Sequence, residues 1–112
     1  MVIKINYLEK FVEACIKKGN ADSLGDYKTS NKCYKIINSV YKNLKKNNSV
    51  NDLVKLLVNE NLYVKLWASR FTLQIETDLA QKTLREISKF PGLTGFEAKM
   101  TLKEWRKGNL KF

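Results

Sequence analysis

The chain has 112 residues, 44% hydrophobic and 29% charged, with 21 Lys+Arg against 11 Asp+Glu for a net charge of +10. That length supports one domain core rather than two, and the balance is that of a folded globule rather than a disordered chain. No apolar run approaches the roughly 18 residues that span a bilayer, the start MVIKINYLEKF has no signal-peptide pattern, and only Cys15 and Cys33 are cysteines, so a cytoplasmic protein is expected.

One proline and little β-branched alternation point to helices throughout. The first helix is predicted from about Ile5 to Lys18, with Leu8, Phe11, Val12 and Cys15 on one face and Gly19 as its stop. The second follows Ser23-Leu24-Gly25-Asp26 and runs to about Lys46, where Asn47-Asn48 breaks it. A Ser49 cap with Asp52 three residues on opens the third, over Leu53 to Val58. The fourth starts near Asn61 and reaches Ile75, with Val64, Trp67, Ala68, Phe71 and Ile75 as its apolar stripe. Thr77 opens the fifth, which ends before Pro91-Gly92. The sixth has a capping box, Thr94-Gly95-Phe96-Glu97, and stops at Gly108.

Short breaks between six helices imply antiparallel neighbours, hence an all-α fold of three helical hairpins. Hairpins of this kind gain their core by stacking, as in a short solenoid. A plain helical bundle uses the same helices and remains the alternative. The segment YVKLWASRFTL sets a basic residue and small residues between large apolar ones, as the second helix of a HEAT-type hairpin does. Together with GDYKTSNKCY near residue 30 and PGLTGFEAKMTLKEWRKGNL, it resembles the bacterial "domain of unknown function 2019" family. The resemblance runs from about Leu8 to Leu110 and implies a single HEAT-like helical domain over residues 1–112. It transfers no catalytic residue.

The positive charge is spread along the chain. Residues 1–48 hold ten basic and four acidic residues (+6), and residues 49–112 hold eleven and seven (+4). Placed about 100° apart on the second helix, Lys28, Lys32, Lys35, Lys42 and Lys46 fall within about 80° of one another. They form a line about 27 Å long, opposite Cys33, Tyr34, Ile36, Ile37, Val40, Tyr41 and Leu44. On the sixth helix Lys99, Lys103, Arg106 and Lys107 share a face opposite Glu97 and Glu104. Both lysine-rich helices are second members of their hairpins, so stacking would join them into one basic surface through Lys65 and Arg70. Such a surface suits an acidic protein face or a phosphate backbone; a solvated outer face is the plain structural reading.

Histidine is absent, which removes the usual general base and the common zinc and iron ligand. Cys15 and Cys33 are too far apart for a CxxC motif and lie on apolar faces, as small buried hydrophobes do. PGLTG lacks the lysine of a P-loop and reads as a turn and a helix cap. No carboxylate pair converges along the sequence. Trp67 reads as core, whereas Trp105, set among Lys103, Glu104, Arg106 and Lys107, would anchor an interface if exposed. The expectation is a non-enzymatic binding module without metal, cofactor or membrane, meeting a protein with an acidic face in an immunity or adaptor role. The alternative is non-specific nucleic-acid binding through the lysine faces.

Overall fold

The computed structural model describes residues 2–112, with side chains from Tyr7 onward, and among them every regular element is a helix. The order is α1 (Val2–Leu24), α2 (Tyr27–Lys46), a 3-10 helix (Val50–Val58), α3 (Leu62–Thr72), α4 (Thr77–Ile87) and α5 (Leu93–Arg106). The all-α expectation holds.

Three helices end in the same way, and the reason is local. After α1, α2 and α5 a residue with positive φ (Gly25 at 72°, Asn48 at 56°, Gly108 at 74°) turns the chain back. The next amide then bonds the carbonyl five residues earlier: Asp26 to Ala21 at 2.8 Å, Ser49 to Leu44 at 2.7 Å, and Asn109 to Glu104 at 2.9 Å. Each closure satisfies a carbonyl that the helix end would otherwise orphan. At its start, α2 is capped by Asp26, whose carboxylate accepts the Thr29 amide at 3.2 Å. In α3 the Asn61 side chain accepts the amides of Tyr63 and Val64.

Four expectations are corrected. Gly19 does not end α1; the helix passes through it to Leu24. A Cβ at Gly19 would fall inside the Tyr63 ring, so the glycine lets α3 approach α1. Ser49 does not cap the third helix, because its hydroxyl donates back to the Asn47 carbonyl at 3.2 Å, and the segment winds as a 3-10 helix. The Thr94 capping box is absent as well: α5 begins one residue earlier behind Gly92, whose φ of 88° suits only glycine. Finally α3 stops at Thr72, leaving Ile75 exposed beyond it.

Two apolar clusters share α3. The larger joins Phe11 and Cys15 of α1, Cys33, Ile37, Val40, Tyr41 and Leu44 of α2, and Leu53 and Leu57 of the 3-10 helix to Val64, Ala68 and Phe71. Phe71 is its hub, stacked on Tyr41 at 4.2 Å and set edge-on to Phe11 at 6.2 Å. The smaller cluster holds Leu66 and Leu73 with Ala80, Leu84, Ile87, Ala98 and Leu102. Phe112 packs on both. Sequential neighbours pair, α1 on α2, the 3-10 helix on α3, and α4 on α5. Between pairs, α3 rests on α1, α4 and α5, whereas α2 reaches the 3-10 helix.

Candidate interaction surface and the α3–α5 recess

The basic residues of the two lysine-rich helices are exposed, whereas Lys65 and Arg70, expected to join them, are half-buried. Lys28, Lys32, Lys35, Lys42 and Lys46 on α2, and Lys99, Lys103, Arg106 and Lys107 on α5, are exposed. Among the described residues the only ion pair is Lys18 to Asp22 at 2.9 Å within α1, so none of these nine cations is neutralised by a salt bridge. The opposite side of α2 is core, with two corrections: Tyr34 and Ile36, expected there, sit at its two borders and are exposed.

The route expected to join the two basic sets differs from the packing. The first hairpin presents α1, not α2, to α3. One residue of each of the two lysine-rich helices acts on the same arginine. Arg70 of α3 feels Tyr34 of α2 and Glu97 of α5, while Trp67, one turn earlier, meets Tyr34 with ring centres 5.9 Å apart.

Around Arg70 lies a recess of about 230 Å³ between α3 and α5, lined by Leu66, Trp67, Arg70, Phe96, Glu97, Met100, Thr101 and Glu104. Two cations flank the Trp67 ring, with Lys18 Nζ of α1 5.6 Å from its centre and the Arg70 guanidinium 5.9 Å from it. Burial pulls the Arg70 pKa down, opposed by Tyr34 and Glu97. It pushes the Glu97 carboxyl above its ordinary value, with Lys18 opposing, Asp22 adding and Arg70 opposing. Among the described residues neither side chain makes a hydrogen bond or ion pair, although each lies within the other's field.

The outer rim of the recess is apolar. Leu93, Phe96 and Met100 recur at i, i+3 and i+7 along α5, and Phe90 precedes them. Phe90, Leu93 and Phe96 are 50%, 53% and 58% exposed. The buried side of α5 is a separate stripe of Gly95, Ala98, Thr101 and Leu102. Two apolar stripes on one helix were therefore present in the sequence, and they are the signal that would have found this rim. Trp67, read as core, is half-buried with its ring offered to the recess; Glu97, read as a capping residue, lines it.

Trp105 is half-buried, packed on the smaller cluster and edge-on to Phe112 at 6.1 Å. Cys15 and Cys33 are buried and unbridged, and burial holds the Cys15 thiol protonated, with Cys33 adding to the effect. No group of three or more His, Cys, Asp or Glu side chains able to hold a metal occurs among the described residues. No helix there is long and apolar enough to cross a membrane. Compared with protein-family models, curated proteins and solved structures, the chain matches none of them.

Proposed function

We propose that this protein is a non-enzymatic protein-binding module of the immunity or adaptor type, whose basic helical surface takes a partner with an acidic face. The observation that carries this reading is the exposed apolar row Leu93, Phe96 and Met100 beside the unpaired Lys99, Lys103 and Lys107 on the same helix. An apolar strip desolvates well and gives an interface its anchors. The adjoining cations steer the partner and fix its register. Nothing inside the domain uses either feature, since the smaller cluster is closed from the other side of α5. Membership of the "domain of unknown function 2019" family, HEAT-like stacking and a bacterial cytoplasmic setting belong to the same proposal.

The test is retention of a partner by the tagged protein from host lysate at about 150 mM salt, with and without nuclease, where non-specific phosphate binding is already weakened. One protein retained at stoichiometric level after nuclease, and released by Phe96→Asp with Met100→Asp, is the expected result. Loss of every protein on nuclease treatment would remove the proposal.

A second reading is favoured by α2, whose six lysines are all exposed, five of them in one line that suits phosphate contacts. Non-specific nucleic-acid binding predicts an affinity falling with salt by a log–log slope of about −0.9 per phosphate neutralised on duplex DNA. Changing Lys28, Lys32 and Lys35 to Glu would then abolish binding and leave the fold intact.

A further inference from the structure

We infer that the α3–α5 recess captures the free C-terminus of the partner polypeptide, with an apolar last residue. The inference rests on the protein-binding reading above and specifies what enters its central recess.

The argument starts from two half-buried charges that line one recess and form no ion pair within the described domain. Neither has a polar atom that is both buried and unpartnered, so each head group is available to a ligand that enters the recess. Arg70 and Glu97 sit close enough to act on each other yet form no ion pair. The recess that both of them line therefore suits a ligand that presents a negative acceptor and an N–H donor side by side. A polypeptide end has that arrangement, with a carboxylate and the amide N–H of the same residue. Arg70 meets the carboxylate with its two-pronged fork, the geometry in which arginine excels over lysine. Glu97, an acceptor when ionised, takes the N–H. Thr101 has already spent its hydroxyl proton on the Glu97 carbonyl at 2.8 Å, so at that point it offers a ligand no donor.

Size and lining agree. About 230 Å³ is too small for a docked helix and ample for one terminal residue. Leu66, Trp67, Phe96 and Met100 give that residue an apolar seat. Upstream residues of the partner then leave over the outer side of α5, past Lys103 and Lys107, where acidic side chains gain most. Capture of a terminal carboxylate is one of the recurring ways in which a protein recognises a peptide.

The experiment uses fluorescence anisotropy with a labelled, glutamate-rich hexapeptide ending in leucine as the free acid. Its comparator is a C-terminal amide carrying one more glutamate, so that net charge is equal. The free acid is expected to bind at least about tenfold more tightly than the amide, the loss appropriate to a charge-assisted hydrogen-bond pair. Arg70→Gln should erase that preference, and Arg70→Lys should reduce it, so the inference stays testable should the first variant fail to fold. Lys103→Glu should weaken both peptides and leave the preference intact. Equal affinity for acid and amide would overturn the inference, as would a preference that survives Arg70→Gln or free leucine binding as tightly as the peptide. Equal binding of both peptides that Phe96→Asp abolishes would overturn C-terminal capture alone and leave the docking surface standing. Absence of binding to either peptide, together with an empty pull-down, would remove both.

Discussion

The two ends of the molecule treat apolar residues differently. At the α1–α2 end, aromatic rings from three helices converge on Phe71, and the surface outside that cluster carries a line of lysines together with exposed Leu24, Tyr27, Tyr34 and Ile36. At the α4–α5 end, small and aliphatic side chains make up the buried cluster, with Trp105 and Phe112 packed against it, and large apolar residues are left outside: Leu79, Phe90, Leu93, Phe96 and Met100. Both ends are basic and both carry a recess, but in the second an apolar row along one helix lies beside the charge and rims a recess lined by Arg70 and Glu97. On the proposed reading, positive charge alone does not mark a docking site. What marks one is charge beside apolar surface that the core does not use.

The comparison is tested most severely at the two cores. Phe71→Ala removes the hub of the larger cluster and should lower the unfolding free energy by about 3–5 kcal/mol, against about 2–5 kcal/mol for Leu84→Ala in the smaller. Urea unfolding should rank Phe71→Ala as the larger loss, and a reversed order would break the distinction between the two ends. Next come the two close approaches. Gly19→Ala puts a methyl group into the Tyr63 ring, and Gly95→Ala puts one against the Phe90 carbonyl; each should cost about 1–3 kcal/mol. A ring can be removed and a carbonyl cannot. Gly19→Ala should therefore add little in a Tyr63→Ala background, whereas no side-chain truncation should rescue Gly95→Ala.

Smaller effects follow from charge. Glu97 has a folded pKa raised above its ordinary 4.5, chiefly by burial. The native state therefore binds more protons than the unfolded one over the interval above 4.5, and stability contributed by this group falls as pH rises through it. Glu97→Gln should raise the melting midpoint at neutral pH and flatten that decline, while weakening capture of the free-acid peptide. The smallest change is expected at the other end. The Asp26 carboxylate is held below its ordinary 3.8 by the hydrogen bonds of Thr29. Its contribution is present above 3.8 and is lost as pH falls through the depressed value. Asp26→Ala should lower the melting midpoint slightly at pH 7 and remove the part of the acid-side decline that Asp26 supplies, as thermal melts across pH would show.

Much of α2 was legible in advance because its determinants are local. Its start behind Gly25-Asp26, its break at Asn47-Asn48 and its lysine line depend on residues within one or two turns. The stop at Gly108 was legible for the same reason. The failures share a different cause. Gly19 resembled a stop because nothing nearby announced that Tyr63, distant in the chain, would need the space. Ser49 and Thr94 had the residue types of capping boxes, but the neighbouring turn recruited Ser49 and a left-handed glycine moved the start of α5 ahead of Thr94. The second apolar stripe of α5 was in the sequence and passed unnoticed beside the lysines.

The sequence by itself determined an all-α chain, the ends of its best-marked helices and a positive surface, because helical period, caps and net charge are properties of neighbouring residues. Only the tertiary structure decided which apolar residues stay outside, that α1 rather than α2 meets α3, and that Arg70, Glu97 and Trp67 face one recess. Those outcomes depend on which helix covers which, and a contact between residues far apart in the chain leaves no periodic mark on either of them.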